Sequence, residues 1–129
     1  MVCLDTSFLI DVLEANEDAR ELMGELDGER EHLSVTPVTA SELWIGGHLG
    51  SRAEYEATRE LLQSLTWLNF SRDCARRAGD LQADLIRKGG ELGVADCMIA
   101  AISLEHDERL VTGDSDFERV PNLRVQTYK

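Results

Sequence analysis

Residues 2–13 read VCLDTSFLIDVL, and this stretch decides the fold class. Its first three residues, Val2-Cys3-Leu4, form a short apolar run that predicts a buried strand ending at Asp5. A helix is predicted next, because Thr6 can cap it and apolar residues recur at helical spacing, at Phe8, Leu9, Val12 and Leu13. A buried strand followed directly by an amphipathic helix is typical of a parallel α/β sheet.

The same alternation continues along the chain. Thr36-Pro37 predicts a helix start and Gly46-Gly47 its end, while the helix that begins at Ser71 has a predicted inner face of Ala75, Ala78, Leu81, Leu85 and Ile86. Further strands are predicted at 33–35, 67–70, 109–112 and 123–125, and further helices at 19–26, 37–47, 51–62, 71–89 and 93–104. These elements predict an α/β fold with a mainly parallel sheet of about five strands and helices on both faces.

The composition fits one compact domain spanning residues 1–129, because 43% of the residues are hydrophobic and one core is feasible. No apolar run is long enough to cross a bilayer, and the first residues lack a basic stretch, so we expect a cytoplasmic protein that does not bind membranes. The three cysteines form no Cys-x-x-Cys pair and are predicted to be small buried hydrophobic residues, at Cys3, Cys74 and Cys97.

The net charge of -12 comes from 25 acidic and 13 basic residues, of which only Lys88 and Lys129 are lysines. Such a surface repels nucleic acid at ordinary salt, because phosphate binding normally rests on a positive field. A salt-rich cytoplasm would weaken this repulsion, since about 1 M salt screens charges beyond about 3 Å. The composition therefore suggests the hypothesis of a halophilic source.

Single acids inside apolar stretches are the main functional signal. Asp5 is the only charged residue in 1–10, Glu42 is the only Asp, Glu, Lys or Arg in 33–51, and Asp96 is the only charge in 93–104. A lone ionised carboxylate in such a setting costs several kcal/mol unless something compensates it. Oxygen ligands without histidine or cysteine suit Mg²⁺ or Mn²⁺, so we predict that these acids share a divalent cation.

A fourth acidic element directly follows the predicted strand 109–112. Asp114 and Asp116 stand on a turn that contains Gly113, and Asp114, nearer the strand, is the favoured ligand. Asp116 is predicted either to support the site or to cap the following segment. Structural roles remain open for each acid: Asp5 could cap a helix, Glu42 could be an ordinary acid near a helix N-terminus, and the turn acids could be simple turn formers.

Four motifs in this order resemble the PIN-domain nucleases, and their spacing is most similar to the VapC-type toxins. They are Leu4-Asp5-Thr6-Ser7, Ala40-Ser41-Glu42-Leu43, Gly93-Val94-Ala95-Asp96-Cys97-Met98-Ile99-Ala100-Ala101 and Leu110-Val111-Thr112-Gly113-Asp114-Ser115-Asp116-Phe117. The resemblance runs from Val2 to about Val125. One position departs from it, because many members of the family carry asparagine where this chain has Asp114.

The resemblance implies a PIN-like three-layer α/β/α sandwich and an Mg²⁺- or Mn²⁺-dependent ribonuclease whose products carry a 5′-phosphate and a 3′-hydroxyl. It implies that Asp5, Glu42, Asp96 and Asp114 are catalytic and metal-binding, with Asp116 adjacent. Ser7 and Thr112 match hydroxyl positions that support such a site. It also implies a homodimer, an RNA substrate and inhibition by a small cognate antitoxin protein.

Other uses of strand-end carboxylates fit less well. A haloacid-dehalogenase-type phosphatase needs a second aspartate where Ser7 stands, and a response-regulator receiver needs a lysine after a late strand. No phosphate-binding Gly-x-x-x-x-Gly-Lys loop occurs in the sequence. The alternative from another class is a non-catalytic module that acts mainly by forming a complex with an antitoxin on operator DNA.

Overall fold

The structure, a computed structural model, describes residues 1–29 and 31–129. Its central layer is one sheet of five strands within these ranges: β1 Val2–Leu4, β2 Leu33–Val35, β3 Thr66–Trp67, β4 Arg109–Val111 and β5 Val125–Gln126. The spatial order is β3-β2-β1-β4-β5, and every neighbouring pair is parallel. Cys3 at the centre of β1 pairs with Ser34 of β2 on one side and with Leu110 of β4 on the other.

Six α-helices connect the strands in the described residues: α1 Thr6–Leu13, α2 Glu17–Gly28, α3 Pro37–Leu49, α4 Arg52–Gln63, α5 Arg72–Arg87 and α6 Val94–Glu105. A 3-10 helix, Ser115–Arg119, follows β4. Hydroxyl side chains begin several helices as predicted: Thr36 accepts a hydrogen bond from the Thr39 amide, and Ser71 accepts one from the Cys74 amide. None of the helices in the described ranges is both long and apolar enough to span a bilayer.

The sheet separates two clusters of buried side chains, because successive residues of a strand point to opposite faces. Val2 and Leu4 of β1 pack with residues of α1, α2, α3 and α4 on one face. Cys3 between them packs mainly with residues of α5 and α6 on the other face. The expected α/β/α sandwich with a parallel central sheet is therefore confirmed.

Several predicted boundaries are wrong by a few residues. The third strand is only Thr66–Trp67, although the Leu68 amide after it still donates to the Val35 carbonyl of β2 at 2.9 Å. The fifth strand lies at Val125–Gln126, two residues later than its predicted start. Helix α3 continues through the two glycines to Leu49, because Gly47 is buried against Thr58 of α4.

The inner face of α5 also differs from the prediction. Ala75 is exposed and the Ile86 side chain is 56% exposed, whereas Cys74, Ala78 and Leu85 are buried. The buried set follows spacings of four and seven residues, so it forms one narrow stripe, and the two mispredicted residues lie beside it. The prediction for the cysteines is confirmed, because all three are buried and free: Cys3, Cys74 and Cys97.

Candidate active site

The candidate site lies where the strand order reverses. From β1 the chain builds the sheet outward through β2 and β3, then crosses to the other side of β1 to form β4 and β5. In parallel α/β folds such a switch point leaves a crevice outside the carboxyl ends of the two strands. Asp5 directly follows β1, and the turn 112–114 directly follows β4, so both reach this crevice.

Asp5 is the most buried carboxylate of the site, with 2% of its surface exposed. Its Oδ2 atom accepts hydrogen bonds from the hydroxyls of Thr112 at 2.7 Å and Ser7 at 2.8 Å, whereas its Oδ1 atom is buried and has no partner in the protein. Burial raises the pKa of Asp5, and the two hydroxyl donors partly counteract that rise. Asp5 stands at the N-cap position of α1, but its side chain makes no capping hydrogen bond.

The two predicted supporting hydroxyls tie the turn after β4 to the start of α1. Ser7 Oγ lies 3.1 Å from Thr112 Oγ1 and accepts the Gly113 amide at 3.0 Å. Thr112 Oγ1 also accepts the Asp114 amide at 3.0 Å. Each hydroxyl thus contacts both Asp5 and the turn, and together they hold the ends of β1 and β4 in one arrangement.

Glu42 comes from the second turn of α3, and one of its oxygens accepts a hydrogen bond from Thr6 Oγ1 at 2.7 Å. The same Thr6 hydroxyl lies 3.0 Å from Thr39 Oγ1. The prediction that Thr6 caps α1 is therefore wrong: Thr6 is the first helical residue, and its side chain orients Glu42 instead. Sequence reasoning missed this role because 36 residues separate the two.

Asp96 lies in the first turn of α6, whose N-cap residue Gly93 has no side chain to cap the helix. Its pKa is raised to about 6, first by desolvation and then by the negative charges of the other acids at the site, Asp5, Asp114, Glu42 and Asp116. Helix α6 therefore carries the Asp96 carboxylate into the electrostatic field of the other four predicted acids.

Asp114 and Asp116 have different environments. Asp114 is partly buried and its Oδ1 accepts the Asp116 amide at 2.9 Å, so it caps the 3-10 helix. The expectation that Asp116 could be the cap is wrong, because Asp116 provides the amide that is capped. The exposed Asp116 side chain forms an ion pair with Arg119 at 3.2 Å. This ion pair already neutralises Asp116, so Asp114 is the better candidate ligand.

The donor set fits a hard divalent cation. It consists of carboxylates only, and the buried, unpartnered Oδ1 of Asp5 is the kind of atom that a cation compensates. Within residues 1–29 and 31–129, however, no three His, Cys, Asp or Glu side chains converge closely enough to form a ready metal cage. Mutual repulsion of like charges favours such a spread, so a bound cation would have to draw the carboxylates together.

A second buried carboxylate shows that burial alone does not identify the site. Glu108 precedes β4 and so lies at the amino ends of the strands, opposite to the carboxyl ends that form the candidate site. Only 2% of its surface is exposed. One oxygen contacts Ser34 Oγ at 2.9 Å, and the other has no partner in the protein. The sequence gives no signal for this residue, because it stands among charged neighbours at 105–109.

The fold and the site together define a class: a doubly wound α/β protein with an acidic site at its switch point. Residues 2–123 match the family described as PIN domain, so the chain belongs to the PIN-domain family. Among curated proteins, it is similar to the Ribonuclease VapC2 of Rickettsia felis, with 25% identity over 128 residues that cover 97% of this chain and 96% of that protein.

A second relative is the tRNA(fMet)-specific endonuclease VapC of Salmonella typhimurium, with 26% identity over 74% of this chain and 75% of that protein. Solved structures share the fold over their whole length. VapBC from Salmonella typhimurium bound to DNA superposes with a TM-score of 0.87 at 24% identity, covering 100% of both chains. VapBC2 from Rickettsia felis, bound to a DNA fragment from its promoter, gives a TM-score of 0.86 at 22% identity, also covering 100% of both chains.

Proposed function

We propose that the chain is a divalent-metal-dependent endoribonuclease and the toxin component of a toxin–antitoxin pair. The observation that carries the proposal is the buried Asp5, whose Oδ1 atom has no hydrogen-bond partner in the protein, at the switch point of a PIN-domain fold. Membership of the family and relatives named as ribonucleases support RNA as the substrate.

The residues have distinct proposed roles. Asp5 and Asp96 hold the cation, Glu42 holds a second cation or the attacking water, and Asp114 completes the set. When bound, Mg²⁺ or Mn²⁺ lowers the pKa of water and neutralises charge on the scissile phosphate. Ser7 and Thr112 keep Asp5 Oδ2 occupied, so that only Oδ1 is left free.

Thr6 performs the same positioning for Glu42. Its hydroxyl donates to one Glu42 oxygen at 2.7 Å and so restrains the carboxylate. Positioning of this kind reduces the reorganisation that the reaction itself would otherwise require. The hydroxyl groups of the first α1 turn and of Thr112 therefore preorganise the carboxylates, although they do not take part in the reaction.

A cleavage assay on total cellular RNA tests the proposal. The wild-type protein with Mg²⁺ or Mn²⁺ should produce new 5′-phosphate ends, and an excess of chelator should abolish them. Asp96→Asn should remove cleavage while the fold is retained, because the change keeps side-chain size and removes one ligand charge. Glu108→Gln is the matched control, since it removes a buried carboxylate at the opposite edge and should cleave as wild type does.

The same assay separates the enzyme from a non-catalytic binding module. If Asp96→Asn cleaves with undiminished, chelator-sensitive activity, Asp96 has no part in the mechanism. If the wild type cleaves no RNA with either metal, the chain acts by binding alone. If the wild type does cleave, sequencing the RNA ends produced in cells identifies the preferred target.

The antitoxin is proposed to dock beside the acidic site. A groove of about 630 Å³ runs between α1, α3 and α4 and reaches Glu42, and its apolar lining includes Ile10, Leu13, Leu43 and Ala57. Such a groove suits an amphipathic segment, and an arginine from that segment could pair with the carboxylates bidentately. Co-expression with the product of the neighbouring gene should yield a stable, inactive complex. A product that neither binds nor inhibits would contradict the toxin–antitoxin assignment and leave the nuclease proposal intact.

The homodimer implied by the resemblance stays a prediction. Size-exclusion chromatography with light scattering would measure it directly, with a mass near twice the 14.4 kDa of one chain as the expected result.

A further inference from the structure

Positive charge is scarce at the acidic site, although RNA is polyanionic. In the described part of the chain two cationic side chains lie against residues of the turn after β4, Arg119 and Lys129. Arg119 is engaged by Asp116 and lies against the loop at Gly90. The other is Lys129, one of only two lysines in the sequence, and its side chain is 57% exposed.

Lys129 lies directly against the turn that carries Asp114. A Cβ atom at Gly113 would stand 3.1 Å from Lys129 Cε and 2.7 Å from Tyr128 Oη. Only a residue without a side chain permits this close approach. On its other side, Gly113 donates its amide to Ser7 Oγ, which contacts Asp5. A single residue therefore separates the Lys129 side chain from the network that holds Asp5.

Asp11 and Tyr128 hold Lys129 in this place. Asp11 lies one helical turn after Ser7 on α1, and its Oδ2 atom accepts the Tyr128 hydroxyl and stands 3.4 Å from Lys129 Nζ. The Tyr128 ring packs edge-on against the buried Phe8 at 5.1 Å between centroids. Residues 128–129 are thus anchored through a ring while the ammonium group stays accessible to solvent.

We propose that Lys129 is a substrate-contacting residue that binds the RNA phosphate backbone next to the acidic site. An exposed pair such as Lys129–Asp11 contributes little to stability, so exchanging the Asp11 carboxylate for a phosphate oxygen is inexpensive. An ammonium is well suited to this role because it binds phosphate as a point charge with three donors. This inference rests on the proposed ribonuclease function.

The test is steady-state cleavage of total cellular RNA with Mg²⁺ by wild type and Lys129→Ala. The variant should raise the apparent KM about tenfold and leave kcat within about twofold, because the contact binds ground and transition states alike. The slope of log(kcat/KM) against log[NaCl] should become shallower by about 0.7–0.9, the value for one lost phosphate contact. Lys129→Arg should restore most of the lost affinity.

Arg124→Ala is the matched control. Arg124 forms a comparable exposed pair with Asp107 at 3.2 Å, with 58% of its side chain exposed, at the opposite edge of the sheet. Arg124→Ala removes the same charge as Lys129→Ala. It should leave KM within about twofold of the wild-type value, since Arg124 is too far away to contact an RNA bound at the crevice.

The variant of the acidic partner gives the sharpest discrimination, because it should change KM in the direction opposite to Lys129→Ala. Asp11→Asn frees Lys129 and should lower KM, whereas Asp107→Asn should not change it. If Lys129→Ala and Asp11→Asn both raise KM, or both leave it unchanged, the pair is only a structural tie and the inference is wrong. If the wild type cleaves no RNA with Mg²⁺ or Mn²⁺, the proposed function fails and this inference fails with it. Cleavage by the wild type with an unchanged Lys129→Ala overturns this inference alone.

Discussion

At the scale of single residues, two carboxylates within residues 1–29 and 31–129 are buried with one oxygen unpartnered, Asp5 and Glu108. Asp5 lies close to the other acids of the candidate site, because its negative charge is one of the causes that raise the pKa of Asp96. Its neighbours Ser7 and Thr112 each satisfy the same Oδ2 atom, so the free oxygen is a consequence of how the hydroxyls are distributed. We therefore expect charge removal at this site to affect stability and cation binding together.

The first prediction concerns the cation and the fold. Without metal, Asp5→Asn and Asp96→Asn should each melt above wild type, because each relieves repulsion among the carboxylates. A divalent ion at a hundredfold excess over its dissociation constant adds about 2.7 kcal/mol. For a domain of this size, that stabilisation corresponds to a rise in Tm of roughly 5–15 °C for wild type, and the rise should shrink in both variants.

Ionic strength must be held constant in these thermal melts, with Mg²⁺ or Mn²⁺ compared against additional Na⁺, because any salt can stabilise an acidic protein. Equal stabilisation by divalent and monovalent salts, together with variants that melt below wild type, would mean that these aspartates are structural.

The second prediction concerns pH. The pKa of Asp96 is raised to about 6 in the folded, metal-free protein, above its ordinary value of 3.8. Such a group destabilises the fold above pH 6, and the penalty disappears as pH falls toward the unfolded pKa. Asp96→Asn should therefore melt above wild type at pH 7.5, and the difference should shrink to about half of that value at pH 5.

The two proteins should be melted in parallel with chelator at pH 7.5, 6 and 5. A difference that stays constant across this range would show that Asp96 does not titrate there. The affinity for Mg²⁺ should decrease as the pH falls from 7.5 to 5, because protons compete with the cation for the Asp96 carboxylate.

At the scale of elements, α3 shows how packing overrides a local stop signal. Gly46-Gly47 predicts a helix end, yet α3 runs on to Leu49. A Cβ atom at Gly47 would lie 3.2 Å from Thr58 Oγ1, whereas one at Gly46 would meet nothing within 4 Å. A side chain at position 47 would therefore crowd α4, whereas one at position 46 would not.

The third prediction uses this difference. Gly46→Ala should stabilise the protein by about 0.5–1 kcal/mol, because alanine restricts the unfolded chain and favours helix. Gly47→Ala should not show this increase in the free energy of unfolding, since its methyl group crowds Thr58. Urea denaturation measures both free energies of unfolding. Equal stabilisation by the two variants would show that the contact between α3 and α4 yields easily.

At the scale of the whole molecule, the net charge of -12 dominates. Most of the cations in the described residues are paired with nearby acids, as in Arg77–Glu105 and Arg109–Glu31, so little positive potential is left over for RNA. The excess of carboxylates repels itself and also repels a polyanionic substrate. A salt-rich environment would relieve both effects, which is why the halophilic source remains our hypothesis.

The fourth prediction follows from this excess charge. Raising NaCl from 0.1 M to 1 M shortens the screening length from about 10 Å to about 3 Å, so Tm at pH 7.5 should rise. The control is the same titration near pH 4.5, the isoelectric point, where the net charge vanishes and the salt effect should largely disappear. Full stability at low ionic strength and pH 7.5 would contradict the habitat hypothesis without affecting the proposed chemistry.

The sequence by itself determined the order of strands and helices, the parallel α/β class and the acids Asp5, Glu42, Asp96 and Asp114 as candidates. These features are local: a strand, a helix or a lone charge in an apolar run is visible within about a dozen residues. Several strand boundaries and the inner face of α5 were predicted wrongly, because neighbouring strands and helices decide where a short element ends and which residues it buries.

Only the tertiary structure decided which residues meet. The strand order places β4 beside β1, and this alone brings the turn at Gly113 to Asp5 across more than 100 residues of chain. The same holds for the pairing of Thr6 with Glu42 and for the position of Lys129 against Gly113. The physical reason is that such contacts depend on how the whole chain packs around the sheet, and no local spacing in the sequence encodes them.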